Sequence, residues 1–460
     1  MLWLTLLQLK SNNAATRRKA AEQLATASSP RALSALQNAL RDSDVEVRRL
    51  VAAALGKSED EGRISSLVRA LSDGDPGVVK TAILALKRVA NEKVTLALIP
   101  LLRHTDSGVR GYAAQVLETT RWQPDNREEE SWFLVSRGYF SRVVGYGPAA
   151  FPALEAAAVS NVSSLAIKAV EALGHINDPR VQRLLAETLK SDDPNVVVAT
   201  LNVIRRLGEA KLATAVVGVL RHGNPQVRAA AAEALGQLRP TSVTERLTPL
   251  LADSVWEVRR QAAEALGRLR DPSAVDGLVR TLKDLDVDVR EAAALALGNL
   301  VDRRAIGPLV LALKDTTSSM RRMAAAALAR ISPRWNTTSE ARSAVLELKE
   351  ALQHEDSNVR HFVSLLLPSL GEEPSESAPG TEPGSTSSAS AANRRKLAID
   401  LFETLLGDMD LDLRRSAAEA LGQLGDTHSR SALQRARSDV DPDVRSAAER
   451  ALQLLGTEPT

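Results

Sequence analysis

Residues 42–56 read DSDVEVRRLVAAALG, and sliding this stretch along the chain finds it again every 31 residues. Anchored on Arg48, equivalent positions fall at 17, 48, 79 and 110, then 166, 197, 228, 259, 290 and 321, then 360, and finally 414 and 445. Three intervals depart from 31: 25 extra residues follow position 110, 8 follow 321 and 23 follow 360. Seven residues after the anchor, 12 of the 13 positions are leucine and the other is Ile204. Three and four residues after it the chain is mostly alanine, as at Ala231 with Ala232 and Ala262 with Ala263. Eight residues after it stand Gly56, Gly174, Gly236, Gly267, Gly298 and Gly422, a helix-weakening residue whose repetition points to tight packing near a helix end.

Upstream of each anchor lies a second stretch with apolar residues three to four apart, such as Val275, Leu278 and Leu282, or Ile306, Leu309 and Leu313. Short polar clusters such as SDDPN at 191–195 separate the two and supply turn and cap residues. Each repeat therefore reads as helix, turn, helix. Neither helix can bury its apolar stripe alone, so neighbouring repeats must stack. The expected fold is all-α, an α-solenoid of about 13 helix pairs. Its segments are a regular N-terminal array over 1–118, an irregular aromatic-rich insertion over 119–160, a central array over 161–371, a linker at 372–393 and two further repeats over 394–460.

The totals agree with this reading. A chain of 460 residues exceeds a single core, aromatic residues make up only 3%, and Asp, Glu, Lys and Arg together make up 25%. With 59 basic and 57 acidic side chains the formal net charge is +2, which argues against a whole-molecule nucleic-acid field. The absence of cysteine excludes disulfides, thiolate nucleophiles and sulfur-ligated metal sites. The opening MLWLTLLQLK lacks a basic region before its apolar run and a small-residue cleavage site, so it is read as a first helix. No segment approaches the roughly 20 apolar residues of a membrane span, and a cytoplasmic protein without membrane insertion is expected.

The pattern Asp, two or three residues, Val-Arg, then AA-x-AL-G resembles the HEAT-like repeats of the phycobilisome-lyase type. The resemblance implies a ladder of hydrogen-bonded ion pairs between neighbouring repeats. Its members here would be Asp44 with Arg48, Asp286 with Arg290, and Arg110, Arg228, Arg259, Arg321, Arg360, Arg414 and Arg445. Val79, Ala166 and Val197 depart from the pattern, which puts the ladder in doubt at those three repeats. Deoxyhypusine hydroxylases, another HEAT-like class, hold iron through several His-Glu pairs, whereas His354-Glu355 is the one such dipeptide in this chain. No bilin-binding constellation stands out, and no catalytic, metal or cofactor residue is assigned.

The insertion, one column and Trp256 carry the candidate binding residues. The insertion holds seven of the chain's thirteen aromatics, including Trp132 and Tyr139. They either fill the gap where stacking is interrupted or form an exposed patch that anchors a partner. Residues EEESWFLVSR at 128–137 read as one additional helix. The linker 372–393 is rich in Pro, Ser, Gly and Glu and is expected to be disordered, while PRWNTTSEA at 333–341 reads as a longer turn. One residue after the anchor stand Arg18, Arg49, Lys80, Arg260, Arg322 and Arg415, a basic column on the second helices. Glu22, Glu264 and Glu419, four residues further on, are placed to neutralise three of them. Trp256, just before such a helix, is either a packed ring or a contact residue. The function these readings favour is a non-catalytic protein-interaction scaffold or assembly factor, its partner held on the concave face. A bilin-lyase-like chromophore lyase subunit and a nucleic-acid-binding HEAT-like protein are the alternatives.

Overall fold

The computed structural model describes residues 2–25, 29–58, 61–89, 91–355 and 411–456, with scattered positions between 359 and 407. The expected linker at 372–393 lies outside the described residues. Regular structure among the described residues is α-helix and 3-10 helix, without a strand. The chain divides into two units, Met1–Leu207 and Gly208–Thr460.

In the first unit the helices Ala14–Leu24, Val45–Lys57, Pro76–Leu86 and Ser107–Thr119 pack side by side in chain order. Each is the second helix of a pair, entered through a side-chain cap: Asp44 accepts from the Val47 amide and Asp75 from the Val78 amide, both at 3.0 Å. First helices such as Pro30–Ala39 and Gly62–Ala70 lie against the second helices of their own repeats. The helix Leu2–Gln8 buries none of its residues, and Trp3 is 74% exposed.

The insertion interrupts this series with the helix Arg127–Ser136, which packs against both Ser107–Thr119 and the later helix Phe151–Ala158. Its aromatics face inward for the most part: Trp132, Phe140 and Phe151 are buried, and Trp122 meets Phe133 edge-on at 5.8 Å. The reading of Trp132 as an exposed anchor is therefore corrected, since its ring fills the interval between regular repeats. Beyond the insertion, Ser163–Leu173 packs on Phe151–Ala158 and on Pro194–Leu207.

In the second unit Pro225–Leu238, Trp256–Leu269, Val287–Leu300 and Ser318–Ile331 repeat the side-by-side series. The C-terminal pair is also part of this unit, with Leu411–Leu424 packing against Pro442–Gly456 and against Ser318–Ile331. The stretch 333–341, expected as a simple turn, instead buries Trp335 and contains the short helix Ser339–Arg342.

The leucine column is the spine of both cores. Leu55, Leu86, Leu117, Leu235, Leu266, Leu297 and Leu328 have no exposed surface, because each is covered by the neighbouring second helix. The glycine column sets how close those helices come. A Cβ added to Gly56, Gly236, Gly267, Gly298 or Gly422 would lie 2.7–3.0 Å from the alanine 29 residues later, well inside van der Waals contact. The contact recurs at the same offset, from Gly267 to Ala296 and from Gly298 to Ala327, so one small-residue seam joins successive repeats. Replacing Gly267 by valine is expected to lower stability by about 1–3 kcal/mol through overpacking. Gly218→Ala, at a helical site with open space around it, is expected to be neutral or to stabilise by up to about 1 kcal/mol. Urea unfolding midpoints of the two variants test this, and equal midpoints would refute the seam.

Candidate interaction surface

Six of the ten anchor arginines are held in ion pairs between repeats. Arg259 makes a two-pronged contact with Asp284, Nε to Oδ2 at 2.7 Å and a terminal nitrogen to Oδ1 at 2.8 Å. Its other terminal nitrogen donates to the Asp253 carbonyl at 2.9 Å, within the turn that precedes its own helix. The same arrangement joins Arg17 to Asp42, Arg48 to Asp73, Arg228 to Asp253, Arg290 to Asp315 and Arg414 to Asp439. The offset is 25 residues every time. Each rung thus ties the turn of one repeat to the turn of the next.

This corrects the expected partners. In the motif D-x-D-x-x-V-R it is the first aspartate that receives an arginine, and that arginine comes from the preceding repeat. Asp44 and Asp286 do not pair with Arg48 and Arg290. Asp44 caps its helix and takes Arg18 of the previous repeat, Nε to Oδ1 at 2.9 Å, while Asp286 accepts from the amides of Asp288 and Val289. The reason is geometric: a capping carboxylate is held against the first-turn amides, whereas Arg48 runs back along the turn to the Asp42 carbonyl at 2.8 Å and across to Asp73.

Each rung carboxylate also accepts from the amide two residues on, as Asp284 does from Asp286 at 3.0 Å. Burial pushes the Asp284 carboxyl up, but Arg259 and that amide outweigh it and hold the group below the ordinary aspartate value. Asp42, Asp253, Asp315 and Asp439 are lowered by the same balance. Arg18 and the Val47 amide draw the capping Asp44 down to about 2.

Where the arginine is missing, its aspartate is missing too. Twenty-five residues after Val79, Ala166 and Val197 stand His104, Ser191 and His222. Each keeps only the local half of the aspartate's role: the Nδ1 atoms of His104 and His222 accept from the amides of Asp106 and Asn224, both at 3.0 Å, and Ser191 Oγ accepts from the Asp193 amide at 3.2 Å. Arg110 faces the insertion, 2% exposed, and donates to the carbonyls of His104, Thr105 and Ala156. Desolvation lowers its pKa. Arg321, Arg360 and Arg445 each grip the two carbonyls of their own turn, as Arg321 does with Asp315 and Thr316 at 2.6 and 3.1 Å.

Above the ladder lies the basic column of the second helices. In the first unit Arg18 and Lys80 are engaged with the capping aspartates of the next repeat, Lys80 with Asp106 at 2.9 Å. Arg49 reaches back to Glu46 on its own helix at 2.8 Å and keeps half of its side chain exposed. In the second unit Arg260 pairs with Glu264 at 2.7 Å and lies 5.9 Å from the Trp256 ring, which is 36% exposed. Arg322 is exposed and Arg415 partly so. Of the three expected neutralising glutamates, Glu264 acts as expected, Arg18 turns to Asp44 rather than Glu22, and Glu419 takes Arg450 at 3.2 Å. Tyr139 is 39% exposed, its hydroxyl 3.4 Å from Glu118.

Two depressions were not anticipated, and both adjoin breaks in the period. One, of about 660 Å³ in the second unit, is lined by residues of 279–316 and 347–354, the latter within the lengthened interval between positions 321 and 360, and includes Lys314 paired to Glu347 at 2.8 Å. The other, of about 590 Å³ in the first unit, lies beside the insertion. Their signal in the sequence was the irregular spacing itself. Among the described residues no group of three or more His, Asp or Glu side chains is placed to hold a metal ion, and no helix is long and apolar enough to cross a membrane.

Stacked helix pairs, with an Arg–Asp rung recurring at the same 25-residue offset in six steps, define a helical repeat protein. The HEAT repeats family matches residues 3–87, 212–298, 275–361 and 389–453, and the chain belongs to that family. The stretch 88–211, with the insertion, lies outside those matches. No curated protein matches the chain. Among solved structures it is similar to an engineered protein from a structural genomics consortium, at 21% identity over 100% of this chain and 99% of that one, with a TM-score of 0.28. It is also similar to a chain from a study of a phosphorylation switch in the interaction between cadherin and β-catenin, at 17% identity, covering 98% and 100%, TM-score 0.40. A third is importin β, at 15% identity over 99% of this chain and 66% of that one, TM-score 0.39.

Removing one partner of a rung strands the other. The side chains of Arg259 and Asp284 are only 15% and 11% exposed, so Arg259→Ala is expected to cost about 2–4 kcal/mol at pH 7. Asp42, Asp253, Asp284, Asp315 and Asp439 titrate lower folded than unfolded. Their stabilisation is complete above the unfolded value near pH 4 and drains away as pH falls through the lower folded values. Urea midpoints from pH 7 to pH 2.5 should fall below pH 4 in the wild type. Asp284→Asn should start lower at pH 7 and fall less, and parallel profiles would contradict the rung's role.

Proposed function

We propose that this HEAT-repeat chain is a non-catalytic interaction scaffold or assembly factor that holds a protein partner along the exposed, concave face of its second helices. The observation that carries the reading is the division of labour between adjacent columns. Six of the ten anchor arginines are consumed by largely buried rungs, while the next residue is basic in six of thirteen repeats. Arg18, Arg49 and Arg322 are the exposed members of this column, Arg18 already paired to Asp44, and a partner with spaced acidic groups complements the column. We place the repeats with the phycobilisome-lyase HEAT-like type, on the V-R…A-L-G pattern, without carrying over lyase chemistry. A cytoplasmic setting belongs to the proposal, since a chain without cysteine needs no oxidising compartment.

Affinity capture with the tagged full chain at physiological salt should retain a defined protein, and Arg49→Glu combined with Arg322→Glu should reduce that capture at least about tenfold. Undiminished capture would remove the second-helix face as the site. Retention on DNA that falls steeply with salt would favour a nucleic-acid partner instead.

A further inference from the structure

We propose that the depression beside the insertion in the first unit is a docking pocket for an acidic, partly apolar peptide segment, resting on the reading of the chain as a protein-binding scaffold. Its volume of about 590 Å³ is in the range of small-ligand sites, room for a few side chains, and far exceeds a single small anion. Three cationic side chains line it from three different elements, Lys80 from Pro76–Leu86, Arg137 after Arg127–Ser136 and Lys168 from Ser163–Leu173, against one carboxylate, Asp106. That carboxylate is already committed, to the Lys80 ammonium and to the Val109 amide at 2.8 Å.

The remaining positive charge is open to a ligand. Lys168 is exposed and forms no ion pair among the described residues. Arg137 is held by Glu118 at 2.8 Å and lies 6.0 Å from the Tyr139 ring, yet its buried Nε–H has no hydrogen-bond acceptor. Apolar surface accompanies the cations: Phe140 and Leu165 line the pocket, with Val162 45% exposed at its side. Gly108 helps to keep the space free, since a Cβ there would lie 2.8 Å from Lys80 Cε. Carboxylates flanked by an aliphatic residue match this pairing of spread cations and apolar floor; a bare anion would leave the floor unused.

The insertion is what creates the pocket. In regular repeats neighbouring second helices meet along the Gly–Ala seam, leaving no room between them. Here Ser163–Leu173 packs on its insertion side against Phe140–Val143 and Phe151–Ala158, and the pocket lies among residues 136–140 and the first turns of Ser107–Thr119 and Ser163–Leu173.

The test uses the full chain and a fluorescein-labelled decapeptide of glutamates interrupted by two leucines, with its all-glutamine counterpart as control. Fluorescence anisotropy should show salt-sensitive binding of the acidic peptide alone. Lys168→Glu should weaken it about tenfold or more, Lys168→Arg should preserve it, and Lys283→Glu in the second unit should leave it unchanged. Equal binding of both peptides, or a change of less than about twofold in Lys168→Glu, overturns the proposal. Full displacement by inorganic phosphate at millimolar concentration overturns it in favour of a small-anion site. Partner capture that survives while peptide binding is absent sinks the pocket alone; failed capture with intact peptide binding sinks the second-helix surface and leaves the pocket standing.

Discussion

The two-pronged bond from one repeat's arginine to the aspartate 25 residues later is the constraint on which the register of the stack depends. One guanidinium satisfies carbonyls in its own turn and a carboxylate in the next, so it fixes a turn and a neighbour at once. Asp42 shows the linkage, its side chain taking Arg17 while its carbonyl takes Arg48. Asp253, Asp284 and Asp315 carry the same double load. Hydrophobic burial drives the helices together without direction. The rungs supply the direction, because a planar guanidinium matches a carboxylate in few orientations.

The glycine seam and the rungs act at opposite ends of each second helix. The rung lies at its first turn, where the cap and the inter-helix turn meet, and the Gly–Ala contact lies in its last turns. Two restraints separated along one helix define its orientation as well as its distance. The paired losses at Val79 with His104 and Val197 with His222 fit this view. An isolated aspartate without its arginine would be a partly buried charge left without a counterion, and the imidazole Nδ1 retains the local acceptor in place of a carboxylate.

Much of this was legible in the residues. The 31-residue period, the leucine spine and the small-residue columns are properties of single positions, and periodicity displays such properties directly. Partner choice was less legible. In D-x-D-x-x-V-R both aspartates lie near the arginine in sequence, and only the path of the turn shows that the nearer one is occupied by capping. A search at fixed offset would have found the true column, since aspartate precedes most anchors by six residues. The burial of Trp132 and Trp335 was hidden for a different reason: irregular segments have no period from which an inward face can be read. The charge balance on the second helices was only half legible, because the i to i+4 rule sees partners on one helix, whereas Arg18, Lys80 and Glu419 find theirs on the next.

Translational repetition carries a cost for recognition. A surface that presents the same side chain at the same offset in every repeat gives a partner several equivalent registers, differing by one repeat and little in energy. A unique register requires something that occurs once. In each unit a depression draws on an irregular interval, at the insertion in one and along residues 347–354, between positions 321 and 360, in the other. Affinity spread over a repeated face and register set at a break are complementary devices: the first scales with the number of repeats engaged, and the second selects among otherwise equal alignments.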